Sequence, residues 1–112
     1  MEFTTSLTKN YEFKRLYNKG KSAATKHVVV YCMKNGKPEN RIGITVSTKL
    51  GGAVQRNRVR RRLKEIYRLN EAALKTGYNI VVIARLASRS AGWGELESSV
   101  LHLFGKLDLI KR

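Results

Sequence analysis

Gln55-Arg56-Asn57-Arg58-Val59-Arg60-Arg61-Arg62-Leu63-Lys64-Glu65-Ile66-Tyr67-Arg68 sets four apolar residues among a dense run of cations. At about 100° per residue, Val59, Leu63, Ile66 and Tyr67 gather into one apolar arc. Asn57, Arg60, Arg61, Lys64 and Arg68 fall on the opposing arc, with Arg58 and Arg62 on a flank. The stretch therefore predicts a helix fixed to a core by a narrow stripe and coated elsewhere with guanidinium groups. Solvated helix faces usually mix signs, whereas here only Glu65 relieves the positive charge. Arginine dominates over lysine, and its planar fork binds phosphate oxygens in pairs and stacks on bases.

Working outward, the helix is predicted to run from Ala53 to Lys75 and to end before Gly77. Gly51 and Gly52 precede it. They make either a tight turn or, with the unpaired N–H groups of the helix N-terminus, a second anion site. Upstream, Arg41 to Ser47 places Ile42, Ile44 and Val46 on one face of a strand. The turn-rich segment Asn35 to Asn40 separates it from a strand over Lys26–Met33. That strand alternates Val28, Val30 and Cys32 with His27, Val29 and Tyr31, and the two strands are expected to pair as a hairpin. A first short helix, capped by Thr8 or Asn10 and stopped by Gly20, carries Phe13, Leu16 and Tyr17 on one face.

Downstream, Tyr78 to Arg85 is an unbroken apolar strand, the pattern of a strand covered on both faces. A last helix follows, with Trp93, Leu96, Val100, Leu103, Phe104 and Leu107 as its core stripe. The order α-β-β-α-β-α predicts an α+β sandwich, helices packed on one small sheet, in a single domain over residues 1–112.

Composition narrows the partners. Twenty-three Lys and Arg against eight Asp and Glu give a net charge of +15 on 112 residues. Such self-repulsion opposes a compact state unless a polyanion is normally bound, and nucleic acid comes before an anionic membrane. Cys32 is the single cysteine and cannot form an internal disulfide, which suits a reducing cytosol. Met1 to Asn10 lacks the apolar segment of a secretory signal, and Ile80 to Ala84 is far too short to span a membrane. A cytoplasmic protein with no membrane association is expected.

A protein nuclease needs carboxylates to hold Mg²⁺ or histidines for acid–base work. His27 and His102 are far apart in sequence and read as structural or solvated. Glu95 and Glu97 have no second acidic cluster, and Glu39, Glu65, Glu71 and Asp108 are scattered. No catalytic residue and no protein metal site is expected, and a stand-alone nuclease is disfavoured.

The ordered set Arg41-Ile-Gly-Ile-Thr-Val-Ser47, Lys49-Leu-Gly51 and Ala53-Val-Gln-Arg-Asn-Arg-Val-Arg-Arg61 resembles the signature of bacterial ribonuclease P proteins. The likeness extends to Phe13, Tyr17 and Tyr31 upstream and to Ile83-Ala-Arg85 downstream. Thr48 stands where a second basic residue is common, and Gly52 where asparagine is frequent. The resemblance implies an α-β-β-β-α-β-α fold with a left-handed β-α-β crossover, against the usual rule, and a further short strand within Ser22 to Lys26. It implies binding to the catalytic RNA through Lys49, Arg56, Asn57, Arg58, Arg60, Arg61, Lys64 and Arg68. It also implies a cleft for the single-stranded 5′ leader of precursor tRNA, formed by Lys9, Phe13, Tyr17 and Tyr31.

The resemblance further implies that the RNA performs 5′ maturation of tRNA with Mg²⁺ that it mainly holds itself, with no organic cofactor and no obligate protein partner. The residues fit a leader cleft, because aromatic rings stack on unpaired bases whatever their identity. Phe13 is nearly as readable as core, whereas the tyrosine hydroxyls favour a wet site. The alternatives are a general or ribosome-associated RNA-binding protein and a DNA-binding module. The latter is disfavoured because the arginines follow no helix-turn-helix pattern.

Overall fold

The computed structural model describes residues 4–111; Met1, Glu2, Phe3 and Arg112, the ends of the expected domain, lie outside them. Eight main elements follow one another: β1 (Thr4–Ser6), α1 (Asn10–Lys19), β2 (Lys21–Ala24), β3 (Val28–Lys34), β4 (Asn40–Thr45), α2 (Ala53–Asn70), β5 (Tyr78–Ala84) and α3 (Trp93–Lys106). The strands form one sheet in the order β1-β4-β5-β3-β2. The fold is α+β, as the sequence predicts.

Strand β5 is the centre. It runs antiparallel to β3, with Val30 opposite Val82, and parallel to β4, with Ile44 opposite Val82. One face of this sheet carries Val28, Val30, Cys32, Ile42, Ile80, Val82 and Ala84 into the main core. There they meet Val59, Leu63, Ile66 and Tyr67 of α2 and Leu96, Val100, Leu103 and Phe104 of α3. The other face carries Val81, Tyr31, Met33 and Ile83 against Leu16 and Phe13 of α1. The unbroken apolar run of β5 is thus covered on both faces, as expected.

The expected hairpin between the Lys26–Met33 and Arg41–Ser47 strands does not form, because β5 lies between them. At the centre, β5 has its backbone groups paired on both sides, by β3 and by β4, where an edge position would leave one row unpaired. The intervening segment instead arches past the start of β5. Asn35 N–H donates to Gly77 O at 2.9 Å, and Asn35 Nδ2 donates to Glu39 O and to Asn79 Oδ1, both at 3.1 Å.

The further strand expected in Ser22–Lys26 is present as β2, antiparallel to β3. Strand β1, parallel to β4, is a fifth strand that three polar residues do not announce. The alternation of β3 does not reach back to His27, which precedes the strand. His27 is buried, with Nδ1 2.6 Å from Ser99 Oγ on α3.

Helix α2 ends at Asn70, short of the expected Lys75, and passes into a 3-10 turn at Glu71–Ala73. Beyond it the backbone is committed elsewhere. Lys75 N–H donates to Leu109 O, Lys111 N–H to Ala73 O, and buried Asn40 Nδ2 to Lys75 O at 2.9 Å. Trp93 leaves the expected stripe of α3: at the first helical position it lies before the buried ridge and is 36% exposed.

Candidate nucleic-acid interface

The chain from β4 to α2 is built as a rigid lead-in. Ser47 Oγ accepts from Lys49 N–H at 3.2 Å, opening a 3-10 turn over Thr48–Leu50, and Leu50 is buried. Gly51 adopts φ of 128°, a conformation that strains any residue with a Cβ, which favours glycine there. Gln55 Oε1 accepts from Gly52 N–H at 3.3 Å, the half of a capping box that the third helical residue supplies; Gly52 has no side chain to supply the other half. Arg56 Nε donates back to Gly51 O at 3.2 Å, so the first arginine of the helix steadies the loop before it.

From that start α2 buries Val59, Leu63, Ile66 and Tyr67, the four residues of the apolar arc. Asn57, Arg58, Arg61, Lys64 and Arg68 are exposed, and Arg56 and Arg60 are half-buried. Arg60 Nη1 donates to Asn57 Oδ1 at 3.1 Å, which orients the pair one turn apart. Arg68 is engaged by Glu65, its Nε 3.1 Å from both carboxylate oxygens. The guanidinium donating to Glu65 holds that carboxyl below the usual carboxylate range. Lys49 is exposed on the turn that precedes the helix.

The aromatic residues meet on the opposite face of the sheet. Phe13 and Tyr17, one turn apart on α1, have ring centroids 6.4 Å apart, and Tyr17 meets Tyr31 of β3 edge-on at 5.0 Å. Phe13 lies over the backbone of β4, where a Cβ on Gly43 would come 2.8 Å from its ring. Phe13 is therefore partly core, half-buried beside Leu7, Leu16 and Val81. Tyr17 is 40% exposed, and Tyr31 is intermediate.

Next to them, Val29, Ile83 and Thr45 form a register row across β3, β5 and β4 and stay half-buried. Thr45 ends β4, so this open row lies at the end of the sheet from which the chain runs to Lys49 and α2. Lys9 lies one turn before Phe13, whose N–H donates to Lys9 O at 3.3 Å. It precedes α1, with Nζ 5.8 Å from the Tyr11 ring centroid.

Two arrangements escape sequence reading. Arg41 of β4 pairs with buried Glu12 of α1, which fixes the helix to the sheet. Arg62, on the flank of the wheel, donates from Nη1 to Ala91 O at 2.9 Å and stands with Arg58, Arg61 and Trp93 around one hollow. No sequence spacing links position 62 to position 93; only the packing of α2 against α3 does. Among the described residues, no three of His, Cys, Asp and Glu come together as metal ligands. Likewise, no described helix is long and apolar enough to cross a membrane.

Comparison with known proteins places these features in company. Residues 1–108 match the family pattern of ribonuclease P. The ribonuclease P protein component of Alkaliphilus metalliredigens is 46% identical over 110 residues, covering 98% of this chain and 99% of its own. That of Clostridioides difficile is 44% identical, covering 95% and 94%. Among solved structures, an RNase P protein mutant from Staphylococcus aureus with defective mRNA degradation activity superposes with a TM-score of 0.87 at 33% identity, over 94% of this chain and 89% of its own. The RNase P protein from Thermotoga maritima superposes with a TM-score of 0.81 at 30% identity, over 96% and 98%.

Proposed function

The chain belongs to the ribonuclease P protein family and acts within a ribonucleoprotein endoribonuclease, and from that premise we propose how its two surfaces divide the work. The arginine face of α2 and the Lys49 turn bind the ribonuclease P RNA. The rings of Phe13, Tyr17 and Tyr31, with the half-open row Val29-Ile83-Thr45, take the single-stranded 5′ leader of precursor tRNA. The observation that carries this reading is the edge-on Tyr17–Tyr31 pair, partly open to solvent and adjoining the Val29-Ile83-Thr45 row at the end of the sheet where the Lys49 turn leads into α2. A base can stack there while its backbone runs toward the cations.

The chemistry belongs to the RNA. In this reading the RNA hydrolyses the phosphodiester with Mg²⁺ that it mainly holds itself. The protein raises affinity for leader-bearing substrate and screens phosphate repulsion, so that less Mg²⁺ is required. Lys9 contributes at the margin, as a cation beside the N-terminus of α1.

The test is cleavage of a precursor tRNA at low Mg²⁺ and moderate salt by the chain alone, a bacterial ribonuclease P RNA alone, and both together. Strong cleavage only in the mixture is the expected result. RNA binding without stimulation would leave a general RNA-binding protein. Cleavage by the chain alone would assign the chemistry to the protein.

A further inference from the structure

Trp93 is the chain's single tryptophan and sits at the first position of α3, partly open to solvent. Its neighbours in sequence are both glycines. A Cβ at position 94 would meet nothing within 4 Å, and one at position 92 only Glu95 Oε1 at 3.7 Å. The indole therefore stands without a flanking side chain to shield it. Opposite it, α2 presents Arg58, Arg61, Arg62 and Glu65, and the five residues line an open hollow of about 410 Å³.

The charges in this hollow are already sorted. Arg62 is anchored through Ala91 O, which fixes its guanidinium beside α3 and leaves its remaining N–H groups free to donate. Glu65 is engaged by Arg68, so its carboxylate is matched and does not cancel the arginines facing the ring. An apolar protein surface seated here would have to desolvate several guanidinium groups, which is unfavourable. A nucleotide has the complementary build: a π-face for the indole and phosphates on either side for the arginines. In a duplex that face is already stacked, so the base must be unpaired.

We propose that Trp93 is a stacking platform for one unpaired base of the ribonuclease P RNA, with Arg58, Arg61 and Arg62 holding the flanking phosphates. The interface thus extends from the face of α2 onto the start of α3. This rests on the reading of the chain as a ribonuclease P protein, and the experiment separates the two.

The full chain is titrated with a ribonuclease P RNA while Trp93 emission and the anisotropy of labelled RNA are followed together. Stacking quenches the emission in step with binding. Trp93→Ala then weakens binding by about fivefold to a hundredfold, the range expected for one stacked base, with its salt slope unchanged. Trp93→Phe recovers most of the affinity. Arg58→Ala and Arg61→Ala instead lower the slope by about 0.7–0.9 for each phosphate no longer neutralised. Anisotropy that reports tight binding with unaltered emission and a fully competent Trp93→Ala would overturn the platform and leave the RNA-binding reading intact. Emission that changes with protein concentration in the absence of RNA would also overturn it, in favour of association between copies of the chain. No binding by the unaltered chain would remove both readings.

Discussion

Tyr17 and Tyr31 reach each other from different elements, and their hydroxyl-bearing rings are the part of the α1 face left open to solvent. Replacing both with alanine is expected to weaken precursor tRNA by about 1–3 kcal/mol for each base no longer stacked, with little effect on mature tRNA. The measurement is the ratio of the two affinities in the assembled ribonucleoprotein, and equal losses would exclude a leader site. Cys32 and Tyr67 define a second effect at this scale. Burial pushes the Cys32 thiol above its ordinary 9.0 and the Tyr67 phenol above its ordinary 10.0. Above pH 9 the unfolded chain releases protons from these groups that the folded chain retains, so their contribution to stability is constant below that point and falls as pH rises. Each group contributes at most about 1.4 kcal/mol per pH unit. Urea unfolding at pH 8 and pH 10 should show a smaller alkaline loss for Cys32→Ala than for the parent; an identical loss would rule Cys32 out as a cause.

At the scale of elements, Asn40 ties the β4-α2-β5 connection together. Its Nδ2 donates to Lys75 O at 2.9 Å and to the Tyr67 hydroxyl at 3.3 Å, and its Oδ1 accepts from Tyr78 N–H at 2.9 Å. One fully buried side chain therefore joins the start of β4, the last turn of α2 and the start of β5. Asn40→Ala would leave a carbonyl and an N–H without partners, at about 1–3 kcal/mol each. We expect a loss of about 2–6 kcal/mol in urea unfolding, and Asn40→Asp to recover the Tyr78 bond but not the donation to Lys75 O. A loss below about 0.5 kcal/mol, the level of an ordinary surface change, would mean that the connection holds without this clamp. Helix α2 itself was legible from four apolar positions, because helical periodicity is a local property. The partner of β3 was not, because strand pairing depends on which edges meet in space.

For the whole molecule, charge dominates. A net +15 on 112 residues repels itself in the compact state, so anions that bind the native chain should stabilise it by mass action. Thermal unfolding in sulfate and in chloride at equal ionic strength distinguishes binding from screening. Sulfate at a hundred times its dissociation constant is expected to add about 2.7 kcal/mol; equal shifts in both salts would reduce the effect to screening. The proposed RNA surfaces sit on opposite faces of one sheet yet adjoin at one end, because β4 runs directly through the Lys49 turn into α2.

The sequence by itself determined the α+β class, the basic helix with its buried arc, the doubly covered strand and the polyanionic partner, since each rests on local periodicity or on net charge. The ordered motif from Arg41 to Arg61 carried the family, which spacing alone would not. Only the tertiary structure decided that β5 separates β3 from β4, that Thr4–Ser6 joins the sheet, and that Phe13 lies on Gly43 while Tyr17 stays open. It also turned Trp93 from an expected core residue into a neighbour of Arg58, Arg61 and Arg62. The physical reason is common to these cases: a contact between residues distant in the chain is fixed by how faces and edges are buried together, and no local pattern encodes that choice.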